Sequence, residues 1–387
     1  MRNAEIGDST KSIRDATLGF ALYSEFRILH SEFENSMNIE VKTWGKTPDN
    51  KDIKLYTLTN ANGVKVQLSD IGAGIVSIVT PDRNGHMDDI VLGYPNATDY
   101  YGDGPCAGKT PGRFANRIAN GRFTMDDKEY QLELNTGDGK HHLHGGSIGF
   151  ANQKWASRIN GENVVFTYLS ADGEAGYPAE LVTKVYYTLN DENELNIRFC
   201  AYSSDKTIVN LTNHTYFNLK GEGNGDILDH KLRLNASRFL PATNELITTG
   251  EMAPVADTPM DFTQAKPIGR DIKEPFPDLI NGKGYDSCWV IDGVAKDKLT
   301  LAAELSHEGV GRMVKIYTTQ PGVQVYTGNW LSGCPKGKNG HVYEDYSGVA
   351  LECQGLPDSP NKPNFPNTFL RSGEEYNETI IFKFSTI

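Results

Sequence analysis

The sequence predicts an all-β protein, built as one large antiparallel β-sandwich over residues 41–387. Short runs of β-branched and aromatic residues follow one another through this region, and most of them alternate apolar with polar side chains. That period of two is typical of a strand with one face on a core. Clusters of Gly, Asn, Asp and Pro separate the runs, and no repeat or linker divides the region. The pattern therefore favours a single core rather than several domains.

Eight runs carry the strand prediction most clearly: 64–70, 163–170, 181–189, 195–203, 313–320, 323–328, 349–354 and 379–385. Turn signals stand between them, for example "NANG" at 60–63 and "GEGNGD" at 221–226. Glycine and asparagine tolerate the backbone conformations that tight turns require. The runs are thus short strands joined by turns.

Residues 1–40 are polar, mixed in charge and poor in turn signals, so they are predicted to be an N-terminal extension with a possible short helix. Their apolar run "LGFALY" is too short for a secretory core and is followed at once by polar residues. No stretch of the chain approaches the ~20 apolar residues that a membrane helix requires. These features predict a cytoplasmic protein with no membrane partner.

Charge and cysteine content narrow the partners further. The chain has 50 acidic and 38 basic residues, a formal charge of −12, which disfavours binding to nucleic acid or anionic lipid. Its five cysteines are scattered, with no CxxC spacing, so neither a disulfide framework nor a thiolate metal site is indicated. A neutral or cationic small molecule fits better as a ligand.

Four strand-like segments carry an unusual number of polar side chains: 112–123, 139–146, 211–219 and 350–366. A buried polar group without a partner costs ~1 to 3 kcal/mol, so such clusters require a reason. Together the segments supply imidazoles, a guanidinium and a carboxylate. Each has a structural and a functional interpretation.

Glu352 lies in the run "VALECQ", where alternation places it on the face opposite Val349, Leu351 and Cys353. A solvated outer face is one interpretation. The other follows from the Pro/Asn-rich loop at 355–366, because such loops commonly border binding sites. A glutamate in a partly desolvated cleft would have a raised pKa, suited to general acid–base catalysis.

His214 shares its predicted strand face with Thr212, Tyr216 and Asn218. A lone histidine here would be a core residue hydrogen-bonded to backbone. The mixture of polar and aromatic neighbours instead suits a sugar, whose CH faces stack on rings while its hydroxyls need directional partners.

The histidines of "HHLHGG" could form a metal site, since His141 and His144 are three residues apart. Zinc requires a third protein ligand, and no nearby residue supplies one at a recognised spacing. No metal is therefore predicted.

The arginines of "GRFANRIANGRF" divide in the same way. Arg113 and Arg122 are predicted to be surface charges on a hairpin. Arg117 lies mid-segment, where its forked donor could hold vicinal hydroxyls or orient a carboxylate.

The motifs, in the order in which they occur along the chain, resemble those of the galactose mutarotase (aldose 1-epimerase) family. The resemblance runs from about residue 41 to the C-terminus. The resemblance rests on seven segments: "GRFANRIANGRF", "HHLHGG", "DGEAGYPAEL", "LTNHTYFNL", "YDSCW", "TTQPGVQVYTGN" and "ECQGLPDSPNKPNFP". It implies the family's fold, the galactose mutarotase-like supersandwich. It also implies an isomerase of hexose and galactose metabolism that interconverts the α and β anomers of free galactose and glucose without cofactor or metal, as a monomer or homodimer. Residues 1–40 have no counterpart in it.

The resemblance also implies roles for individual residues. Glu352 matches the catalytic base and His214 the catalytic acid. The positions that match substrate-binding residues are Asn116, Arg117, His144, Asp286 and Gln324. The pair would work with Glu352 ionised and His214 protonated near neutrality, the negative charge favouring the positive one.

Three other interpretations stay open at this point. Hexose-6-phosphate 1-epimerases share the sandwich and the Glu/His pair, but they need a cluster of basic residues for the phosphate. A non-catalytic sugar-binding module would be free to lose the base or the acid, yet both are present. Residues 1–40 could also join the protein to a larger assembly.

Overall fold

The computed structural model describes residues 38–387. The short helix predicted in the N-terminal extension therefore lies outside the described residues. The first strand begins at Asn38, slightly before the predicted start of the sandwich at residue 41. In the described part of the chain, no helix is long and apolar enough to cross a bilayer.

Strands form nearly all of the regular structure. In chain order they are β1 (Asn38–Lys46), β2 (Asp52–Thr59), β3 (Lys65–Ser69), β4 (Gly74–Pro81), β5 (Met87–Asp89), β6 (Arg117–Ile118), β7 (Arg122–Met125), β8 (Lys128–Gln131), β9 (His142–Leu143), β10 (Ala156–Asn160), β11 (Asn163–Ser170), β12 (Leu181–Leu189), β13 (Glu194–Ser203), β14 (Thr207–Ile208), β15 (Tyr216–Phe217), β16 (Lys231–Leu234), β17 (Arg238–Leu240), β18 (Ala253–Pro254), β19 (Lys266–Pro267), β20 (Asp286–Val290), β21 (Thr300–His307), β22 (Arg312–Thr318), β23 (Gly322–Tyr326), β24 (Val349–Gln354), β25 (Phe369–Leu370) and β26 (Tyr376–Thr386).

Helical structure in residues 38–387 is limited to short segments. The α-helix α1 spans Pro277–Gly282. The 3₁₀ turns are Ala97–Tyr100, Ala119–Gly121, Phe150–Asn152, Glu174–Gly176, Ile268–Arg270, Lys338–Gly340 and Ser359–Asn361.

The strands form three large sheets, and every strand pair in them is antiparallel. The nine-stranded sheet has the order β10-β11-β12-β13-β26-β22-β21-β16-β19. The six-stranded sheet has the order β15-β24-β23-β20-β17-β18, and the five-stranded sheet runs β1-β2-β3-β4-β5. Two-stranded pairs β6-β9, β7-β8 and β14-β25 complete the topology. The predicted all-β class is confirmed.

One large apolar cluster joins the three sheets. It includes Val66 of β3, Ile197 of β13 and Leu351 of β24, all nearly inaccessible to solvent. Strand β12 shows why the sequence forms these sheets: its nine residues alternate between buried and half-buried from end to end. Each of the eight predicted strand runs coincides with an observed strand, because their period of two matches the sheet pleat.

The strand-like segment 211–219 requires a correction, since only Tyr216 and Phe217 within it form a strand. Its polar side chains bond to backbone groups in place of a ladder. Thr212 donates its hydroxyl to the Cys353 carbonyl at 2.7 Å, and Asn213 donates its amide to the Gly108 carbonyl at 2.9 Å. Such side chain to backbone bonds compete with regular pairing.

Arg113 is a second correction, because it is not a surface charge. The residue is 1% exposed. Its guanidinium donates to the carbonyls of Pro178 and Ala179 at 2.7 and 2.8 Å and to the Ser170 hydroxyl at 2.5 Å. Arg122, by contrast, is exposed on strand β7 of the β7–β8 hairpin, as predicted.

Candidate active site

A cavity of about 670 Å³ opens beside one face of the six-stranded sheet. Its volume falls in the range of ~300 to 1,000 Å³ that is usual for small-molecule sites. Loops contribute lining residues from within 99–105 and 330–335. The remaining lining side chains are Asn116, Arg117, Leu143, His144, His214, Tyr216, Asp286, Tyr326 and Glu352.

Strand register explains why residues far apart in sequence meet here. Across β23 and β24, Glu352 lies directly opposite Gln324. Across β20 and β23, Asp286 lies directly opposite Tyr326. Side chains at i and i+2 of a strand share a face, so Gln324 and Tyr326 project from the same side of β23. One face of the sheet thus presents a carboxylate on β20 and another on β24.

Glu352 and His214 form a buried pair at the cavity wall. The Nε2 atom of His214 lies 3.4 Å from Oε1 of Glu352. The two residues are 4% and 2% exposed. Glu352 Oε2 and His214 Nδ1 are buried and have no hydrogen-bond partner among residues 38–387. Buried polar atoms are rarely left unpaired, so an unpaired carboxylate oxygen at a cavity wall indicates a ligand-binding group.

The backbone of His214 is held on both sides. Its N–H donates to the Lys109 carbonyl at 2.9 Å, and its carbonyl accepts from the Gly108 N–H at 2.8 Å. The imidazole packs against Tyr216, with ring centroids 4.9 Å apart. These contacts fix the imidazole in place opposite Glu352.

Burial opposes the charged forms of this pair. Desolvation, together with a smaller effect of the positive charge of Lys109, lowers the pKa of His214 from 6.5 to about 4. Desolvation raises the pKa of Glu352 well above its ordinary value, and Asp286 adds to the rise while Arg117 opposes it. Burial of the pair therefore favours a neutral imidazole and a protonated carboxyl. This corrects the expectation that Glu352 keeps His214 protonated near neutrality.

His144 reaches the same point from the loop after β9. Its ring lies at a T-shaped angle to His214, with centroids 5.4 Å apart. Its Nδ1 accepts a hydrogen bond from the Asn116 N–H at 3.1 Å. An accepting Nδ1 in a neutral imidazole leaves the proton on Nε2, so His144 is a hydrogen-bond donor. Burial, with smaller effects from His214 and Arg117, lowers the pKa of His144, which keeps it neutral.

Asn116 and His144 both have left-handed backbone conformations, with φ of 65° and 51°. Asn116 also accepts the Arg117 N–H on its side-chain oxygen at 2.7 Å. Asparagine tolerates this region through such local bonds, while histidine adopts it at a cost. Strained residues cluster at functional sites, and these two flank the cavity.

The structure does not bring His141 and His144 together as metal ligands. His144 lies with His214 and Glu352, whereas His141 lies with Asp138 and Glu245, and within each trio the potential ligand atoms are 4.8 Å or less apart. His141, like His144, accepts a backbone N–H on Nδ1, here from Asn120 at 3.0 Å. Nε2 then carries the proton and has no lone pair for a metal. The tautomers of both histidines therefore argue against zinc coordination.

Arg117, Asp286 and Gln324 form a chain of contacts at the edge of the cavity. The Arg117 guanidinium lies 3.8 Å from Oδ2 of Asp286, and Gln324 donates its amide to Oδ1 of Asp286 at 2.7 Å. Arg117 and Asp286 line the cavity, but Gln324 is not one of its lining residues. Gln324 thus orients Asp286 in this structure.

Two aromatic residues at the cavity, Tyr326 and Trp330, were not singled out from the sequence. Tyr326 packs between Tyr216 at 5.9 Å and Trp330 at 6.4 Å, measured between ring centroids. The Tyr326 and Trp330 rings are nearly parallel, at 19°. Alternation along "VQVY" places Tyr326 on the face of Gln324 and could have identified it. Nothing in the sequence pattern marks Trp330, because the loop that carries it has no periodicity.

A buried carboxyl–imidazole pair beside hydrogen-bonding groups and aromatic rings defines the class: an enzyme that moves protons on a small polar ligand. Residues 54–383 match the family model for aldose 1-epimerase. The chain belongs to the aldose 1-epimerase family.

Curated relatives and solved structures agree with this assignment. The chain is 43% identical to galactose mutarotase of Sus scrofa over 322 residues, which cover 83% of this chain and 91% of the relative. It is 37% identical to aldose 1-epimerase of Haemophilus influenzae, over 89% of this chain and 99% of the relative. The crystal structure of galactose 1-epimerase from Lactobacillus acidophilus superposes with a TM-score of 0.78 and 29% identity, over 91% of this chain and 99% of that one. The predicted supersandwich fold is confirmed.

Proposed function

We propose that this protein is an aldose 1-epimerase that interconverts the α and β anomers of free aldohexoses, chiefly galactose and glucose. The observation that carries the proposal is the buried contact of 3.4 Å between His214 and Glu352 at the wall of the cavity. Anomer interconversion needs one base and one acid at neighbouring oxygens of the same carbon. The pair supplies both.

The reaction balances with protons alone. Glu352, as carboxylate, takes the proton of the C1 hydroxyl while His214, as imidazolium, gives one to the ring oxygen O5. The C1–O5 bond breaks and an aldehyde forms at C1. Rotation about the C1–C2 bond presents the other face of the aldehyde, and the ring recloses with the two roles reversed. The enzyme ends with its protons where they began.

The reactive ion pair and the neutral pair favoured by burial hold the same number of protons. One proton transfer within the pair converts the second form into the first, so no exchange with solvent is needed. Arg117 favours the reactive form, because its positive charge lowers the pKa of Glu352.

The sugar hydroxyls would be held by the polar residues around the pair. Asn116, Arg117, His144 and Asp286 line the cavity and offer both donors and acceptors. His144 acts as a donor through Nε2–H. Gln324 contributes by holding Asp286. The rings of Tyr216 and Tyr326 supply apolar surface for the CH groups of a pyranose.

The hexose-6-phosphate alternative fits the cavity less well. Among the described residues that line it, Arg117 is the single lysine or arginine, and Asp286 already faces that guanidinium. A phosphate site requires several cations. If the substrate carried a phosphate, KM would rise steeply with ionic strength. We expect KM for galactose to be nearly independent of salt.

Polarimetry tests the proposal. Freshly dissolved α-D-galactose is followed toward equilibrium with native protein, Glu352→Gln and His214→Asn, after subtraction of the spontaneous rate. We expect rapid equilibration with native protein and losses of ~10² to 10⁴-fold in kcat for each variant. Glu378→Gln is a matched control, since burial also raises the pKa of Glu378 but this residue lines a different cavity. No acceleration by native protein on galactose or glucose would refute the activity and leave a binding module.

We further propose that the protein acts in the cytoplasm, in galactose and hexose metabolism, as a monomer or homodimer. Residues 41–387 would form the catalytic domain and residues 1–40 an extension to it. Light scattering of the full chain, with and without residues 1–40, distinguishes the two oligomeric states and tests the extension's part in them. Equal kcat values for the two chains are expected.

A further inference from the structure

We propose that the buried ion pair Lys109–Asp103 positions His214, and that Lys109 contributes a fixed positive charge to the electrostatics of the imidazole. Lys109 and Asp103 are therefore positioning residues for the reaction. This inference rests on the proposed function, because its meaning depends on His214 being the catalytic acid.

The pair is fully buried and fully bonded. The Lys109 ammonium lies 2.6 Å from Oδ1 of Asp103, and both side chains are 1% exposed. The ammonium also donates to the Tyr100 carbonyl at 2.6 Å and to the Asn152 side-chain oxygen at 3.2 Å. Its three protons thus have three acceptors. The other oxygen of Asp103 accepts the Ala107 N–H at 2.9 Å.

The chain segment from Asp103 to Lys109 also holds the main chain of His214. Both hydrogen bonds of the His214 main chain go to residues 108 and 109. At Gly108, φ is +69° and a Cβ would lie 1.9 Å from the Ile75 carbonyl oxygen, so this position admits only glycine. The segment packs closely against Ile75 on one side and is held by the Lys109–Asp103 ion pair on the other. These contacts fix its position.

The same segment also forms one wall of the cavity. Asp103 lines it, together with Gly102, Gly104 and Pro105. The Lys109–Asp103 ion pair therefore sets the distance between that wall and the His214 imidazole. A buried ion pair is a poor source of net stability compared with apolar side chains of the same volume. The pair instead supplies fixed geometry, since misplacement of a catalytic group by about 1 Å can cost ~100-fold in rate.

The charge of Lys109 acts on His214 along with its other neighbours. The groups that face the imidazole are Glu352, His144, Tyr216 and Tyr326. Lys109 lowers the pKa of His214, in the same direction as burial. Without Lys109 the pKa of His214 should rise, so the His214–Glu352 pair should gain its second proton at a higher pH.

The test compares full-length native protein with Lys109→Met, Asp103→Asn and the double variant. Lys266→Met is the matched control, because Lys266 is also buried and lies 2.7 Å from Asp271, outside the catalytic cavity. Unfolding curves, kcat, KM and the acid limb of the pH profile for galactose are measured. The pKa of His214 is measured separately by NMR titration of its imidazole, assigned with His214→Asn.

Opposite shifts are the expected signature. In Lys109→Met the acid limb and the imidazole titration move to higher pH by ~0.3 to 1 unit, and in Asp103→Asn they move to lower pH. The double variant leaves no unpaired buried charge, so we expect it to fold. Its kcat should still fall ~10-fold or more, because the ion pair that positions His214 is absent.

Any of three results would overturn the inference. The acid limb of the pH profile could stay in place in both single variants, or the double variant could have the native kcat. The control Lys266→Met could also shift the acid limb as much as Lys109→Met does. If the single variants do not fold, the double variant decides. Absence of epimerase activity in native protein would refute the proposed function instead. The imidazole titration would then still show whether Lys109 acts on His214.

Discussion

The Nε2 atom of His214 and the Oε1 atom of Glu352 lie 3.4 Å apart in a site that solvent barely reaches. Because burial acts against both charges, the two groups hold one proton between them rather than titrating independently. The chemistry of an aldose 1-epimerase requires one acid and one base, and a pair with one proton is always one of each.

The first prediction concerns additivity. If His214 and Glu352 act as one unit, the double variant His214→Asn/Glu352→Gln will be about as slow on α-D-galactose as the slower single variant. Groups that act together in a proton transfer lose their whole contribution when either is removed. Single-turnover polarimetry measures the rates. Losses that multiply across the two substitutions would show that the groups act separately.

A second prediction concerns the pH dependence of kcat/KM. The pKa of His214 is lowered to about 4 and that of Glu352 is raised well above its ordinary value. As pH falls through the lower value the pair gains a second proton, and as pH rises through the upper value it loses its only one. Activity is therefore expected to decline at both ends, with the acid limb well below 6.5, the ordinary histidine pKa. An acid limb at 6.5 would show an exposed, uncoupled His214.

Arg117 and Asp286 should move the alkaline limb in opposite directions. Arg117 lowers and Asp286 raises the pKa of Glu352. Arg117→Met should thus shift the alkaline loss of activity to higher pH, and Asp286→Asn to lower pH. Both variants should also raise KM for galactose ~10-fold or more, because each removes a charged hydrogen-bonding group from the cavity wall. Gln324→Ala is the comparison variant. It removes only the amide that orients Asp286, so we expect a smaller rise in KM for galactose.

Arg113 and Arg122 should differ sharply in their effect on stability. Arg113→Met leaves the Pro178 and Ala179 carbonyls without their donor, so we expect the free energy of unfolding to fall by ~2 to 4 kcal/mol. Arg122→Met, on the exposed β7–β8 hairpin, should leave the denaturation midpoint unchanged. Equal midpoints for the two variants in urea would contradict the buried role of Arg113.

Local pattern was sufficient for the fold class and for most strands. Runs such as 163–170 and 181–189 were bounded to the residue, because period-two alternation and flanking turn residues are local properties of the chain. The same logic failed at 211–215, where Thr212 and Asn213 bond to backbone groups from distant segments. No window of local sequence contains those partners.

The sequence by itself determined the strand order along the chain, the residue types at the catalytic pair and, through the seven family segments, their roles. Tertiary structure alone decided which of these residues share an environment. Glu352 is 2% exposed although its strand face could have been solvated, and Arg113 is buried although a surface position was predicted for it. Desolvation and long-range hydrogen bonds depend on what packs against a residue, so the pKa values of His214 and Glu352 and the histidine tautomers follow only from the assembled sheets.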